Sequence, residues 1–175
     1  AIIQDLRGTK IRIGVLPVAG VLIKPADMII FNTAKMEYDG KELPLDFPGL
    51  EKYLKPEERI LIDDGRAEVL VKRIQDTRIF AEVVEGLTLF SNKGLNFPDS
   101  KLSDIQVLSA KDKADLRLGV SLGVDFVAIS FVNKAQDVLD IRFLIKQYEA
   151  ELQIKNDSSI LIIAKIERRE AVENL

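Results

Sequence analysis

The chain has 175 residues, 47% hydrophobic and 30% charged, with a net charge of −3. That suits one sizeable or two small globular domains and gives no strong electrostatic draw toward nucleic acid or acidic membranes. It contains neither cysteine nor histidine, which excludes disulfides, thiolate metal sites, the usual zinc sites and Ser-His or Cys-His nucleophiles.

Acid–base or metal chemistry must therefore use Asp, Glu, Lys, Ser, Thr or backbone groups. No apolar run approaches the roughly 20 residues of a membrane span. The start, Ala1-Ile2-Ile3-Gln4-Asp5, has no basic segment and too short an apolar stretch for a signal peptide. It reads as the middle of a strand, and the other end stops as a helix begins. A piece of a longer protein is expected.

Residues 1–13 read as a short strand, a turn at Arg7-Gly8-Thr9 and a second extended run, with Asp5 and Arg12 near one strand end. From Gly14 to about Pro98 the character changes to short strand-like runs between turn signals. These runs are residues 15–18, 21–23, 27–31, 59–62, 67–71 and 78–84. Asp63-Asp64-Gly65 is a tight-turn signature, as is Gln75-Asp76-Thr77. Residues 38–56, with Gly40, Pro44, Pro48, Gly49 and Pro56, read as mostly loop with one helical turn at 50–54. Many short strands without a long amphipathic helix argue for a small β-barrel or sandwich.

Beyond Leu95 helix and strand alternate. Ser109 as N-cap, Asp112 three residues on and Gly123 as C-cap predict a helix over 110–122. Residues 124–131 read as a strand. Val138, Ile141, Leu144, Ile145 and Tyr148 then form one helical stripe, fraying through 155–159. The last strand begins the run Ile160-Leu161-Ile162-Ile163-Ala164-Lys165-Ile166-Glu167. Its apolar opening, suited to both faces, predicts a covered parallel strand. Alternation puts Lys165 and Glu167 on the same side at the C-terminal end, where α/β enzymes keep their chemistry. The competing reading is a strand that ends at the surface with two solvated charges. The order β-α-β-α predicts a parallel sheet. The fold class is therefore α/β, about three strands of a larger sheet interrupted by a β-rich insertion. There is no GxxxxGK[ST] loop and no GxGxxG after a strand, so a phosphate would meet strand-end groups and not a glycine cradle.

Six strings, in order, resemble pyruvate kinase: Gln4-Asp5-Leu6-Arg7-Gly8-Thr9-Lys10-Ile11-Arg12, Ile62-Asp63-Asp64-Gly65, Ser91-Asn92-Lys93-Gly94-Leu95-Asn96-Phe97-Pro98, Lys111-Asp112-Lys113-Ala114-Asp115-Leu116, Asp125-Phe126-Val127-Ala128-Ile129-Ser130-Phe131-Val132 and Ala164-Lys165-Ile166-Glu167. The resemblance implies a partial TIM barrel of about three strands with an inserted small β-barrel lid. The implied segments are residues 1–14 (third barrel strand), 15–98 (lid) and 99–175 (two strands and helices). Gly14 and residues 96–103 are the implied hinges.

It also implies phosphoryl transfer from phosphoenolpyruvate to ADP, giving pyruvate and ATP. Lys165 is implied as the catalytic lysine and Glu167 as one of two carboxylates on Mg²⁺ or Mn²⁺. Asp5, with the Leu6 carbonyl, is implied as a K⁺ ligand. Arg12 and Lys93 are implied nucleotide-phosphate contacts, Asp63 and Asp64 the lid turn over the nucleotide, and Ser130 a pocket residue. The remaining segments of the parent chain, a homotetrameric parent, a cytoplasmic or plastid setting, and no nucleic-acid or membrane partner complete the implied picture. Thr9 stands where the family has proline. Asn133 stands where an arginine is common, so one positive charge at the mouth is expected to be lost. With the second metal carboxylate beyond Leu175, chain 1–175 is expected to be inactive by itself. Two other readings compete: a lyase or aldolase of the wider phosphoenolpyruvate/pyruvate barrel group, and a non-catalytic β-barrel binding module.

Overall fold

Helix and strand signals at the two ends of the chain assemble into one unit, Ala1–Thr9 with Ser103–Leu175. A computed structural model describes residues 1–102, 105–154 and 159–174. Three short segments, β1 (Ile3–Leu6), β10 (Phe126–Ile129) and β11 (Leu161–Ala164), pair in parallel in that order. Register places Leu6, Ile129 and Ala164 in one row. The connection from β10 to β11 runs through helix α2 (Ala135–Glu151), as parallel pairing requires.

Helix α1 (Ala110–Leu122) begins where Ser109 accepts a hydrogen bond from the Asp112 amide while the Asp112 carboxylate accepts from the Ser109 amide. It ends at Gly123, φ 67°, a left-handed conformation in which glycine carries no Cβ penalty. The expected helix over 110–122 thus has both its signals in place. Leu116 and Val120 of α1, Ile141 and Ile145 of α2, and Val127 and Ile129 of β10 form the core. Val138, Leu144 and Tyr148 pack against its margin. Of the expected frayed segment, residues 155–158 lie outside the described residues.

Strand β11 departs from expectation. Leu161 is 55% exposed and the strand stops at Ala164, so Lys165 and Glu167 lie just past it. Among the described residues β11 pairs on one side alone, and none of its four residues is fully buried. An apolar run reports the burial a strand is built for, not which neighbours are present.

The second unit is Lys10–Leu102. Its six-stranded sheet runs β4-β3-β7-β6-β5-β9, where β3 is Met28–Asn32, β4 Glu42–Pro44, β5 Arg59–Ile62, β6 Ala67–Gln75, β7 Arg78–Glu85 and β9 Leu95–Asn96. Strands β2 (Val21–Leu22) and β8 (Thr88–Leu89) pair separately. Ala67, Val69 and Val71 alternate inward on β6, as do Ile79, Ala81 and Val83 on β7. Two register irregularities in the β6–β7 pairing, between Glu68 and Val69 and between Val71 and Arg73, bend the sheet. The β5–β6 turn holds three left-handed residues, Asp63 (φ 52°), Asp64 (φ 58°) and Gly65 (φ 86°), a conformation that Asp tolerates and Gly adopts freely.

One sequence expectation fails in this unit. Residues 15–18 form no strand, because Pro17 lacks an N–H and its carbonyl accepts from Gly20 to close a turn. Residues 38–56 are mostly loop, as expected, with one short strand the sequence did not announce. Glu42–Pro44 joins β3 as an edge strand, the position where proline is tolerated. The helical turn is present as a 3-10 turn, Leu50–Tyr53. Gly14 is buried, its amide donating to the Pro44 carbonyl at 2.9 Å. No helix among the described residues is long and apolar enough to cross a membrane.

Candidate functional site

Parallel register brings the C-terminal ends of β1, β10 and β11 side by side. The Lys165 amide extends the ladder by one bond, donating to Ile129 O at 2.9 Å. Its side chain therefore still projects as the next member of the strand. The Lys165 ammonium lies 2.8 Å from Asp5 Oδ1 and 3.0 Å from Asp5 Oδ2. It stands 4.0 Å from Glu167 Oε1. One cation thus faces two carboxylates from two different chain ends.

Glu167 is held from a second direction. Its Oε2 accepts the Phe131 N–H at 3.0 Å. Phe131 is buried and carries φ 59°, a left-handed conformation that is costly for an aromatic residue. Ser130, 4% exposed, donates its hydroxyl to Leu6 O at 2.8 Å and so ties β10 to β1. Gly8 must be glycine: a Cβ there would sit 3.0 Å from Ser130 O and 3.4 Å from the Phe131 ring, at φ 67°.

Asn133 has a cationic neighbour, Arg168. Arg168 Nη1 donates to Asn133 Oδ1 at 3.3 Å, and its guanidinium lies 5.1 Å from the centre of the Phe131 ring. Burial pushes the Arg168 guanidinium below its ordinary range.

The remaining sequence candidates lie in the other unit. Lys93 pairs with Asp63 Oδ1 at 2.8 Å, and Arg66 reaches Asp63 Oδ2 at 3.2 Å. The hydrogen bond from Lys93, reinforced by both cations, holds the Asp63 carboxyl below the usual carboxylate range. Arg12 bridges to Gly94 and donates Nη1 to Asn92 O at 2.7 Å. Arg12, Lys93 and Asp63 thus share one corner around residues 92–94, and Asp64 is exposed in the adjoining turn. Asp5 and Arg12, read from sequence as neighbours at a strand end, fall in separate units.

Sequence reasoning singled out Lys165, Glu167, Asp5 and Ser130. It missed the Phe131 amide and Arg168. Gly8 was a usable signal for close packing; nothing in the letter Phe announces a left-handed backbone. A cleft of about 550 Å³ beside α2, lined by Val107, Leu108, Ile141, Phe143 and Leu144 among others, contains none of these residues.

The donor chemistry can be set against the divalent and monovalent cations named above. A site without His or Cys suits hard ions with oxygen ligands. Glu167 keeps Oε1 free of the Phe131 bond, and the Leu6 carbonyl, accepting from Ser130, retains a second lone pair. Among the described residues no group of three or more carboxylates could hold a metal ion. Glu167 Oε1 and the Leu6 carbonyl are thus hard oxygen donors in kind, while both Asp5 oxygens face Lys165.

A family model described as "Pyruvate kinase, barrel domain" matches residues 1–175. The chain is similar to a pyruvate kinase of Agrobacterium vitis, 36% identical over 176 residues, covering 100% of this chain and 34% of that protein. It is also similar to pyruvate kinase 2 of Synechocystis sp., 37% identical over 178 residues, covering 99% of this chain and 29% of that protein. A pyruvate kinase of Thermococcus litoralis is 31% identical over 174 residues, covering 99% and 35%. The chain spans about a third of the length of these curated relatives.

Proposed function

The chain belongs to the pyruvate kinase family, and from that premise we propose that it forms the lysine-bearing part of a phosphotransferase moving a phosphoryl group from phosphoenolpyruvate to ADP. The observation that carries this reading is the Lys165 ammonium, 2.8 Å from Asp5 and 4.0 Å from Glu167 at the C-terminal ends of three parallel strands. A phosphoryl donor carries several negative oxygens, and its enolate leaving group gathers charge as the phosphorus–oxygen bond breaks. Lys165 neutralises both, and the strand ends hold it in place before the reaction starts.

Glu167 is the residue that would hold Mg²⁺ or Mn²⁺, and Asp5 with the Leu6 carbonyl would hold K⁺. A divalent ion so held supplies Lewis acidity at a substrate oxygen. The chain's own part is to aim the carboxylate: Phe131 N–H occupies Oε2 and leaves Oε1 on the Lys165 side. Ser130 sets the distance between β1 and β10 through Leu6 O. In the same reading residues 15–98 act as the lid, with Gly14 and 96–103 as its hinges. Arg12 and Lys93 contact nucleotide phosphates, with Asp63 and Asp64 in the closing turn. Lys93 reaches a phosphate by exchanging its bond to Asp63 for one to the nucleotide. The remaining segments of the parent chain complete the barrel, and a homotetrameric cytoplasmic parent fits the same proposal.

Two measurements test it. Chain 1–175 is expected to bind Mn²⁺ weakly, and Glu167→Gln to weaken that binding by a further factor of about ten. Equal Mn²⁺ affinity in both proteins, read by paramagnetic relaxation, removes Glu167 from the metal site. Conversion of phosphoenolpyruvate by chain 1–175 is expected to be nil. Measurable turnover sinks the argument that one carboxylate is too few.

A further inference from the structure

Arg168 is partly buried, and its lost hydration is offset in part by the charges of Glu170, Asp137 and Glu167. Arg168 has no carboxylate within 4.0 Å among the described residues; its partners are Asn133 Oδ1 and the face of Phe131. Both lie on the segment that follows β10, and Phe131 there holds a left-handed backbone. Asn133 is 1% exposed, and its other contacts fix the backbone of the same segment: its amide donates to Asp137 Oδ2 at 2.8 Å, and its carbonyl accepts from Asn174 at 2.9 Å. Ser130, one residue before Phe131, is anchored on Leu6 O and packed under Gly8. The segment is therefore fixed at Ser130 and Asn133, and Arg168 closes over the residue between them whose conformation is least favourable.

We propose that Arg168 is a positioning residue: by holding the Phe131 ring it keeps the Phe131 N–H on Glu167 Oε2 and so fixes which carboxylate oxygen faces Lys165. The contact is cation on aromatic face, within the distance at which the ring quadrupole attracts a guanidinium. The hydrogen bond to Asn133 orients the planar group over the ring. When Arg168 is removed, Phe131 can relax toward an ordinary backbone conformation, and its amide turns away from Glu167. The inference rests on the reading of Glu167 as a working carboxylate only for its importance, not for its geometry.

Hydrogen exchange of chain 1–175 tests it. With Arg168→Gln, exchange at the Phe131 amide is expected to quicken about two- to fivefold, the equilibrium factor that a half-exposed cation–aromatic contact carries. Amides of Val127 and Ile162, inside the sheet, keep their native rates. Glu167→Ala marks the limit for an unbonded Phe131 amide. Asn133→Ala, which frees Arg168 without removing it, moves the same amide in the same direction by a smaller factor and decides the matter if Arg168→Gln does not fold. An unchanged Phe131 rate overturns the inference, as does uniform quickening across the sheet, which marks a merely structural role. Mn²⁺ separates this result from the metal reading. If Phe131 responds to Arg168→Gln while Mn²⁺ leaves the resonances of residues 131 and 167 unbroadened, the positioning role stands and the metal assignment falls.

Discussion

At the scale of single residues, the chain keeps its most demanding charges in hydrogen-bonded groups. Glu42, 6% exposed in β4, accepts from Asn32 at 2.7 Å and from Arg78 at 2.7 Å and pairs with Lys35 at 2.7 Å. Hydrogen bonds from Lys35, Arg78 and Asn32, in that order, hold its carboxyl down to about 2. A pKa lowered by folding contributes stability above the ordinary carboxylate range, lost as pH falls toward the folded value. Glu42→Gln is therefore expected to cost about 1–3 kcal/mol at pH 7, and the difference from the native chain to shrink between about pH 5 and pH 2. Urea unfolding across that window checks it; a penalty independent of pH refutes the ionised network. Lys165, Glu167, Asp5 and Ser130 were legible as a group because their strings are specific and strand alternation places them. Phe131 and Arg168 were not, since backbone sign and long-range ring contacts leave no periodic trace.

At the scale of elements, α1 is the case where local signals suffice. Ser109 and Asp112 bond reciprocally, and Gly123 closes the other end. Asp112 does more than its place in the capping box requires: it is 2% exposed and its Oδ1 accepts the Gly8 amide at 3.3 Å. Ser109→Ala is expected to cost about 1 kcal/mol. Asp112→Ala also strands the Ser109 and Gly8 amides, at about 2–3 kcal/mol. Thermal unfolding of the two variants separates a cap from a cap joined to the β1 turn, and equal losses would deny Asp112 its second role. Strand β4 was illegible for the opposite reason. Its Pro44 and flanking Gly40 and Pro48 read as loop, and only the pairing with β3 makes it a strand. The run containing β11 has the composition of a covered strand, whereas Leu161 is exposed, because composition does not report which neighbours are present.

At the scale of the whole molecule, the α/β class and the β-rich insertion were readable from the change of period along the chain. The number and order of strands in the six-stranded sheet were not, because its members β4 and β9 are only three and two residues long and carry no alternation. Residues 10–102 own a core of fully buried residues, including Phe31, Ile60, Ile62, Val69 and Ile79. Expressed alone, this segment is expected to fold and to unfold in one cooperative step. A broad, non-cooperative transition by circular dichroism would argue against that autonomy. The pairing of β1 with β10 spans a chain excursion of roughly 120 residues. Thr9 donates its amide to Val107 O at 3.1 Å and its hydroxyl to Gln106 O at 2.5 Å, clasping the excursion where it leaves and returns. Strand β1 is thus made well before the neighbour it pairs with. Its partner emerges only after the intervening segment, and collapse of that segment shortens the distance left to close. Lengthening or trimming the far loops of the excursion leaves the clasp and the strand register untouched, so this fold can vary its insertion without disturbing the end of the sheet where Lys165 stands.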